Sequence, residues 1–319
     1  MPVTKIEFHD FHWLDIGNPT AESLEQLAKT YELHPTSVQD CLQPEHLPKH
    51  EVIQDTLFVV LRAYDTEAHD AADTVQELTR KLAIFYTDRF VITIHRKDHP
   101  FIDHLIKKWQ KRGQTDRTVT PEHILGDLLN EVVKTYQAPV MACIQDLEEF
   151  ETEIFGAGTS REFRIQSGYY LRRKASVFKR MLRSTLEPLT RVMNQAESDL
   201  LPHFQNARDL IDNLYFYAEE ITESLSSLLN LHISLASQKT NEASLKTNDV
   251  MQVLTIFNCF FLPVNFIASI YGMNFSYMPE TRWEYGYFAT LGLMATIVSV
   301  IFLWFRRKGW LHRLPAPEQ

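Results

Sequence analysis

The pattern of hydrophobic and polar positions changes character near residue 120. Before that point, short runs rich in β-branched and aromatic residues predict strands: FHWLDI, TLFVVLRAYD, RKLAIFYTD and RFVITIHR. AESLEQLAKTYEL has helical spacing with Thr20 at its N-cap, and since Ser23 stands where a capping box has Glu or Gln, we expect no capping box. From Pro121 the strand pattern stops, and residues 121–155, 161–200 and 204–270 predict long helices with breaks at 156–160 and near Pro202.

Two stretches near the C-terminus are hydrophobic enough to cross a membrane. No charged residue stands between Asp249 and Glu280, or between Glu284 and Arg306. Each stretch supplies the roughly 20 apolar residues that span a ~30 Å hydrocarbon core. A pair of buried core helices is the alternative, but two charge-free stretches back to back favour membrane spans.

The predicted fold is an α+β cytoplasmic domain, a sheet with flanking helices, followed by a long helical stalk and two C-terminal transmembrane helices. We place the α/β domain at 1–120, further cytoplasmic helices at 121–203, the stalk and first transmembrane helix at 204–271, an outward-facing loop at 272–284, the second transmembrane helix at 285–305 and a basic tail at 306–319. Arg306, Arg307 and Lys308 follow the second span directly. The excess of positive charge in cytoplasmic segments therefore predicts that both termini lie inside the cell, with the spans in the cell (inner) membrane.

Charge and cysteine usage narrow the function classes. The formal net charge of −9, from 41 acidic and 32 basic residues, argues against a nucleic-acid partner, which needs a basic surface. Cys41, Cys143 and Cys259 form no metal-type pair and favour a reducing compartment. The sequence has no P-loop, H-E-x-x-H or Ser/His/Asp signature, so we expect no enzyme and no cofactor.

One face of the first span carries most of its polar residues. Of the five clearly polar residues between Val250 and Ile270, only Gln252 lies off a row that advances in alternating steps of three and four. This polar row consists of Asn248, Met251, Thr255, Asn258, Leu262, Asn265, Ser269 and Gly272, and continues towards the N-terminus as Ser227, Asn230, Ser234, Ser237, Asn241 and Ser244. An Asn amide facing lipid lacks hydrogen-bond partners, so the row points at protein or at water.

The polar row has two interpretations. Its amides and hydroxyls could hydrogen-bond across a helix bundle, or they could line a pore. Two spans cannot enclose a water path, so a pore requires several copies around an axis, with the first span inside. A ring of Asn amides then offers uncharged oxygens, which hold the waters of a cation and still release it. Mg²⁺ sheds water reluctantly, which favours recognition of the hydrated ion.

YGMNF at the end of the first span, MPE in the loop and the basic end of the second span together resemble the CorA family of magnesium and cobalt transporters. WLDIGNPT, FVITIHR and KTNDVMQVLTIF are similar to CorA segments as well, so the resemblance covers essentially the whole chain. It implies a funnel-shaped homopentameric channel that passes Mg²⁺, and also Co²⁺ or Ni²⁺, under the control of cytosolic Mg²⁺.

The resemblance also implies roles for individual residues. Gly272, Met273 and Asn274 would form the selectivity filter, and Glu280 and Glu284 would concentrate cations at the mouth. The regular spacing of the polar row would put Thr255 at the hydrophobic gate, but the resemblance implies that Leu254 takes this position, beside Met251. Asn248, Met251, Asn258, Leu262 and Asn265 match pore-lining positions.

The regulatory site departs from the family pattern. Many relatives carry YFRDVYDH before the stalk where this chain reads HFQNARDL, so Asn206 replaces the first Asp and Asp209 and Asp212 become the candidates. Two other functions remain open at this point: a Zn²⁺ transporter of the ZntB type, and a membrane-anchored sensor that conducts nothing. The lack of His on the polar row and the intact Gly-Met-Asn favour Mg²⁺ over Zn²⁺.

Overall fold

A six-stranded mixed sheet forms the centre of the N-terminal part of the protein. The computed structural model describes residues 2–113, 118–155, 161–196, 200–275 and 278–310. Its strands are β1 (Val3–Glu7), β2 (His12–Gly17), β3 (Lys49–Ile53), β4 (Thr56–Tyr64), β5 (Thr79–Tyr86) and β6 (Phe90–His95). They lie in the order β1-β2-β6-β5-β4-β3, with β2 and β6 parallel and the other neighbours antiparallel. The predicted sheet with flanking helices is confirmed.

Helices cover both faces of this sheet, which is why its central strands are apolar without alternation. Val59 and Leu61 of β4 belong to a large core that includes α4 (Pro100–Gly113) and α5 (Pro121–Lys134). Phe58 and Val60 of the same strand face a smaller core under α1 (Ala21–Tyr31) and α2 (Pro35–Leu42). A strand buried on both sides reads as a continuous hydrophobic run.

The remaining helices are α3 (Val75–Leu78), α6 (Gln137–Phe155), α7 (Arg161–Gln195), α8 (Leu201–Tyr271), a short 3₁₀ helix (Pro279–Arg282) and α9 (Gly286–Arg307). Of these remaining helices, α3 and α7 contact the sheet. The chain divides into two units, Met1–His232 and Ile233–Gln319. The boundary falls inside α8.

The single helix predicted over 121–155 is wrong, because the structure has two helices, α5 and α6. Thr135 stands at the break, and its side chain explains it. The Thr135 hydroxyl donates to the carbonyl of Val132 (2.6 Å) and accepts from the backbone N–H of Tyr64 on β4 (2.9 Å). The next residue, Tyr136, donates its hydroxyl to the carbonyl of Arg62 (2.8 Å). The sheet therefore fixes the chain at the point where one helix ends.

Other predicted helix ends are also corrected. α7 ends at Gln195 rather than 200, and the predicted break at 156–160 lies outside the described residues. α8 begins at Leu201 rather than 204, since Pro202 is tolerated in the first turn, where its missing N–H costs nothing. α9 extends through Arg306 and Arg307.

The prediction that α1 lacks a capping box is wrong. The backbone N–H of Ser23 donates to the Thr20 hydroxyl (3.2 Å), and the backbone N–H of Thr20 donates to the Ser23 hydroxyl (2.9 Å). The short Ser side chain thus takes the role usually given to Glu or Gln.

Candidate transmembrane pathway

The polar row lies on the exposed face of α8 along its whole length. Its described members from Ser227 to Gly272 are all exposed, and so is Leu254. The same alternation of three and four continues towards the N-terminus through exposed positions: Asn206, Asp209, Asn213, Phe216, Glu220 and Glu223. The exposed row is therefore not limited to the apolar C-terminal part of α8 but continues along the rest of the helix.

In the first unit, the opposite face of α8 belongs to the large core. Buried residues there repeat at steps of three and four: Phe204, Ala207, Ile211, Leu214, Ala218, Ile221, Leu225 and Leu228. This spacing keeps one stripe of the helix in the core. The core pattern ends with Leu229, and the next buried residue of α8 is Ile256.

In the second unit, the face of α8 opposite the polar row carries its buried and half-buried residues. Ile256 is only 7% exposed. The rings of Phe260 on α8 and Phe305 on α9 lie 5.8 Å apart. Val264 and Ile267 are half-buried on the same face. Met251 and Leu254 remain 55% and 52% exposed, so the contact with α9 leaves the polar row uncovered.

Gln252, the polar residue that lies off the row, has a partner that the sequence did not reveal. Its side-chain amide lies 3.4 Å from the carbonyl oxygen of Trp310, beyond the end of α9. Gly309 has a φ of +72° and turns the chain there, and the Trp310 ring packs against Trp304 and Phe305. The contact joins residues 58 positions apart, so no local pattern in the sequence predicts it.

Helix α8 ends at Tyr271, and Gly272, Met273 and Asn274 follow directly. The N–H of Gly272 donates to the carbonyls of Ala268 (3.0 Å) and Ser269 (3.2 Å), and the N–H of Met273 donates to the carbonyl of Ile270 (3.2 Å). The Met273 and Asn274 side chains are exposed. The C-terminal end of a helix carries a partial negative charge, so this turn is a favourable place for a cation.

Among the described residues, no contact requires a glycine at position 272. A Cβ atom there would lie 3.5 Å from the carbonyl oxygens of Ala268 and Ser269, which is ordinary van der Waals contact. The positive φ angles of the described residues occur elsewhere. We therefore expect any need for glycine to come from contacts beyond the described residues, such as those with another copy or a passing ion.

The charged residues predicted around the pathway lie at both ends of the second unit. Glu284 is exposed beside the start of α9, whereas the side chain of Glu280 lies outside the described residues. Arg306 and Arg307 occupy the last turn of α9, where cations stabilise the helix end. Lys308 follows as an exposed residue.

The two carboxylates expected to act in regulation form no metal site with the other described residues. Asp209 and Asp212 are exposed on α8, and the carboxylate of Asp212 lies 3.9 Å from the guanidinium of Arg208. The described residues contain no group of three His, Cys, Asp or Glu side chains that could hold a metal ion.

His95 and His99, a pair that we expect to bind zinc poorly, lie close together and contact protein groups. The rings of His95 and His99 lie 5.4 Å apart at the end of β6. Burial, with the nearby His95, lowers the pKa of His99 to about 4. Burial also acts to lower the pKa of His95, but the Asp15 carboxylate 3.3 Å away helps to raise it above its ordinary value.

Comparison with known proteins identifies the class to which these features belong. α8 and α9 are both long and apolar enough to cross a membrane. The family model for the CorA-like Mg²⁺ transporter protein matches residues 8–307. The chain therefore belongs to the CorA family: it is a divalent metal transporter with two membrane spans, and members of this family are ion transporters rather than enzymes.

Individual relatives cover nearly the whole chain. YfjQ of Bacillus subtilis is 28% identical over 98% of this chain and 94% of its own length. The cobalt/magnesium transport protein CorA of Thermotoga maritima is 26% identical over 94% of this chain and 83% of its own length.

Solved structures have the same fold. The CorA magnesium transporter of Methanocaldococcus jannaschii has a TM-score of 0.62 at 24% identity, over 96% of this chain and 93% of that one. The ZntB cytoplasmic domain of Vibrio parahaemolyticus has a TM-score of 0.58 at 11% identity, over 72% of this chain and 89% of that one.

Proposed function

We propose that the protein is a channel for passive uptake of hydrated Mg²⁺, and also of Co²⁺ or Ni²⁺, with the polar row of α8 as the wall of its pore. The observation that carries this proposal is the exposure of the row in both units, while other parts of each unit cover the opposite face of α8. An inside-negative potential of about 100 mV supplies about 4.6 kcal/mol to a divalent ion, so uptake needs no ATP.

Several copies have to assemble around the pore, and we propose the five that the CorA resemblance implies. Between Ile233 and Thr255, α8 has no buried residue within the chain. An isolated helix gains little stability without a packed face, so neighbouring copies would supply the missing contacts. In this arrangement the first span is inside and α9 faces lipid.

The outer entrance is proposed to be a ring of Asn274 amides. Each amide oxygen would accept hydrogen bonds from the ion's own waters, and the C-terminal end of each α8 would add partial negative charge. Gly272 and Met273 would complete this filter, and Glu280 and Glu284 would raise the local cation concentration.

Further along the pore, Asn265, Asn258 and Asn248 would form polar rings, with Ser269 and Thr255 hydroxyls and Leu262 between them. Met251 and Leu254 would form the constriction, since apolar rings close a narrow pore by excluding water. The Thr255 hydroxyl already donates to the carbonyl of Met251 in its own helix (2.7 Å), which lowers its polarity towards the pore.

Gating is proposed to depend on Mg²⁺ held between neighbouring cytoplasmic domains. Asp209 lies on the exposed row and Asp212 beside it, so both carboxylates are accessible to a second copy. At low Mg²⁺, repulsion in a chain with a net charge of −9 would loosen the ring of domains. Both termini are cytoplasmic in this proposal, because Arg306, Arg307 and Lys308 follow the second span.

The test is ion flux into liposomes that contain the purified protein, under an inside-negative potential, with Mg²⁺, Co²⁺, Ni²⁺ and Zn²⁺ in parallel. We expect Mg²⁺ flux, and we expect Asn274→Ala to reduce it about tenfold or more, because a hydrogen bond to a charged group contributes about 1.5–3 kcal/mol. Asn194→Ala on the exposed surface of α7 is the matched control and should leave flux unchanged.

The alternatives give different results in the same assay. Flux of Zn²⁺ without Mg²⁺ would favour a ZntB-type transporter. Absence of flux for every ion would favour a membrane-anchored sensor. Flux that is unchanged in Asn274→Ala would contradict the proposed filter.

A further inference from the structure

Helix α7 concentrates positive charge in a chain that is acidic as a whole. It carries nine Lys or Arg residues and two Glu, whereas the chain has a net charge of −9. Among its described side chains, Arg173, Lys179 and Arg191 form ion pairs. Arg172, Arg180 and Arg183 form no ion pair with any other residue that the structure describes.

Two of these arginines line a cleft between α7 and the segment that leads into α3. The cleft has a volume of about 430 Å³, within the range of small-molecule sites. On one wall, α7 contributes Arg172, Arg173, Ser176 and Arg180, and residues 73–75 form the other wall.

Among the described residues that line the cleft, Asp73 supplies the one carboxylate against the three guanidinium groups of Arg172, Arg173 and Arg180. The carboxylate of Asp73 lies 3.1 Å from the guanidinium of Arg173, which it neutralises. The carboxylate of Glu77 accepts from the Thr74 hydroxyl (2.8 Å) and from two backbone N–H groups. Among the described residues, Arg172 and Arg180 have no ion-pair partner.

We propose that this cleft binds an oligophosphate ester of the nucleoside triphosphate class, with its phosphates free of metal. Guanidinium groups match phosphate oxygens in a bidentate geometry. Arg172 and Arg180 lie eight residues, or about 12 Å, apart along the helix axis. That separation is wider than one phosphate group and suits a chain of phosphates approached from both ends.

The remaining side chains of the cleft fit the rest of such a ligand. Tyr169 is 54% exposed and also lines the cleft, so its ring offers a face for a base. The exposed Ser176 hydroxyl lies between the two arginines in sequence and can donate to a phosphate oxygen. Mg²⁺ on the phosphates would neutralise the charge that the arginines recognise, so the metal-free form is the preferred ligand.

The test is calorimetric titration of the full-length protein in detergent with ATP and with inorganic triphosphate, first in EDTA and then with excess Mg²⁺. We expect both ligands to bind in EDTA, ATP more tightly, and both to bind more weakly with Mg²⁺. Arg172→Gln/Arg180→Gln should weaken binding about tenfold or more, since charge-assisted hydrogen bonds are lost. Tyr169→Leu should weaken the binding of ATP and leave the affinity for inorganic triphosphate unchanged.

Arg191→Gln is the matched control, because Arg191 lies on α7 outside the cleft and pairs with Glu187 (3.1 Å). It should bind like the unmodified protein, and a thermal melt without ligand should show that each variant is folded. Equal affinity in the double variant would overturn the site, and equal affinity with and without Mg²⁺ would overturn the preference for metal-free phosphates. A double variant that instead changes the size of the assembly would show that acidic residues of a second copy occupy the cleft, which would also overturn the proposal.

Discussion

The two units of this protein bury their hydrophobic residues in different ways. In Met1–His232, the sheet and its helices form two cores in which residues such as Val59, Ile84 and Leu128 are fully buried. In Ile233–Gln319, Ile256 and Phe305 are the buried large hydrophobic residues among those described. Exposed large hydrophobic residues are frequent along both of its helices.

This difference shows where the chain depends on its surroundings. Burying a large aliphatic or aromatic side chain contributes roughly 1.5–3 kcal/mol, and the first unit obtains that contribution from its own residues. The second unit leaves an apolar surface on α9 that suits lipid and a polar row on α8 that suits water or other copies. The first unit therefore has its stabilising contacts within one chain, whereas much of the apolar surface of the second unit stays uncovered within one chain.

Separating the two units should give the largest expected effect, a difference in solubility and in cooperative unfolding. We expect residues 1–232 alone to be soluble and to melt cooperatively, because their core is complete. The full chain should aggregate without detergent, because its apolar helices lose their membrane. Size-exclusion chromatography and circular dichroism measure both outcomes. A fragment that is insoluble or lacks a cooperative transition would contradict the comparison.

Glycine substitutions distinguish contacts within the chain from contacts outside it. A Cβ at Gly168 would overlap the ring of Phe150, so Gly168→Ala should lower the free energy of unfolding of the 1–232 fragment by about 1–3 kcal/mol. A Cβ at Gly272 fits within its own chain. Gly272→Ala should therefore lower Mg²⁺ flux while leaving the unfolding of the first unit unchanged.

Gly292 provides the control, since a Cβ there meets nothing within 4 Å in the chain. Gly292→Ala should change neither flux nor stability if α9 faces lipid at this position. Normal flux in Gly272→Ala would show that no neighbouring copy or ion closely approaches that residue.

The pH dependence of stability should reveal His99 in the first unit. Its pKa is about 4 in the folded state and near 6.5 when unfolded. Between these values the unfolded chain binds a proton that the folded chain does not, so acidification favours unfolding. We expect His99 to lower stability by up to about 1.4 kcal/mol per pH unit as pH falls through this window.

His95 has the opposite effect on stability, because its pKa is raised in the folded state. Its contribution to the free energy of unfolding is therefore lost as pH rises. Denaturant unfolding of the 1–232 fragment and its His99→Gln variant, from pH 7 to pH 4.5, isolates His99 by difference. Identical pH profiles would exclude this role.

The smallest expected effect concerns the contact between Gln252 and Trp310 in the second unit. Gln252→Leu removes one hydrogen bond to a backbone carbonyl, which contributes about 0.5–1.5 kcal/mol. Faster amide hydrogen exchange at residues 308–310 measures the loss. Ser269→Ala on the polar row should leave that exchange unchanged.

Much of the fold could be predicted because the relevant signals are local. Apolar β-rich runs predicted β2, β4, β5 and β6, and charge-free stretches predicted both membrane helices. Helix ends were predicted less well. The break at Thr135 depends on a hydrogen bond to Tyr64, 71 positions away in sequence, and no local pattern signals such a bond.

For the candidate site, the sequence by itself determined which residues share a helix face, because residues three or four positions apart lie on the same face of any α-helix. It therefore placed Asn258 and Asn265 on one row, whereas the role expected of Asn274, which follows the end of α8, came from the family resemblance. Only the tertiary structure decided what covers the other face: a core in the first unit, and in the second a contact that includes Phe260 and Phe305. It also gave Gln252 its partner and showed that Gly272 has room for a side chain. These results depend on atoms far apart in sequence, whose meeting is set by packing rather than by local periodicity.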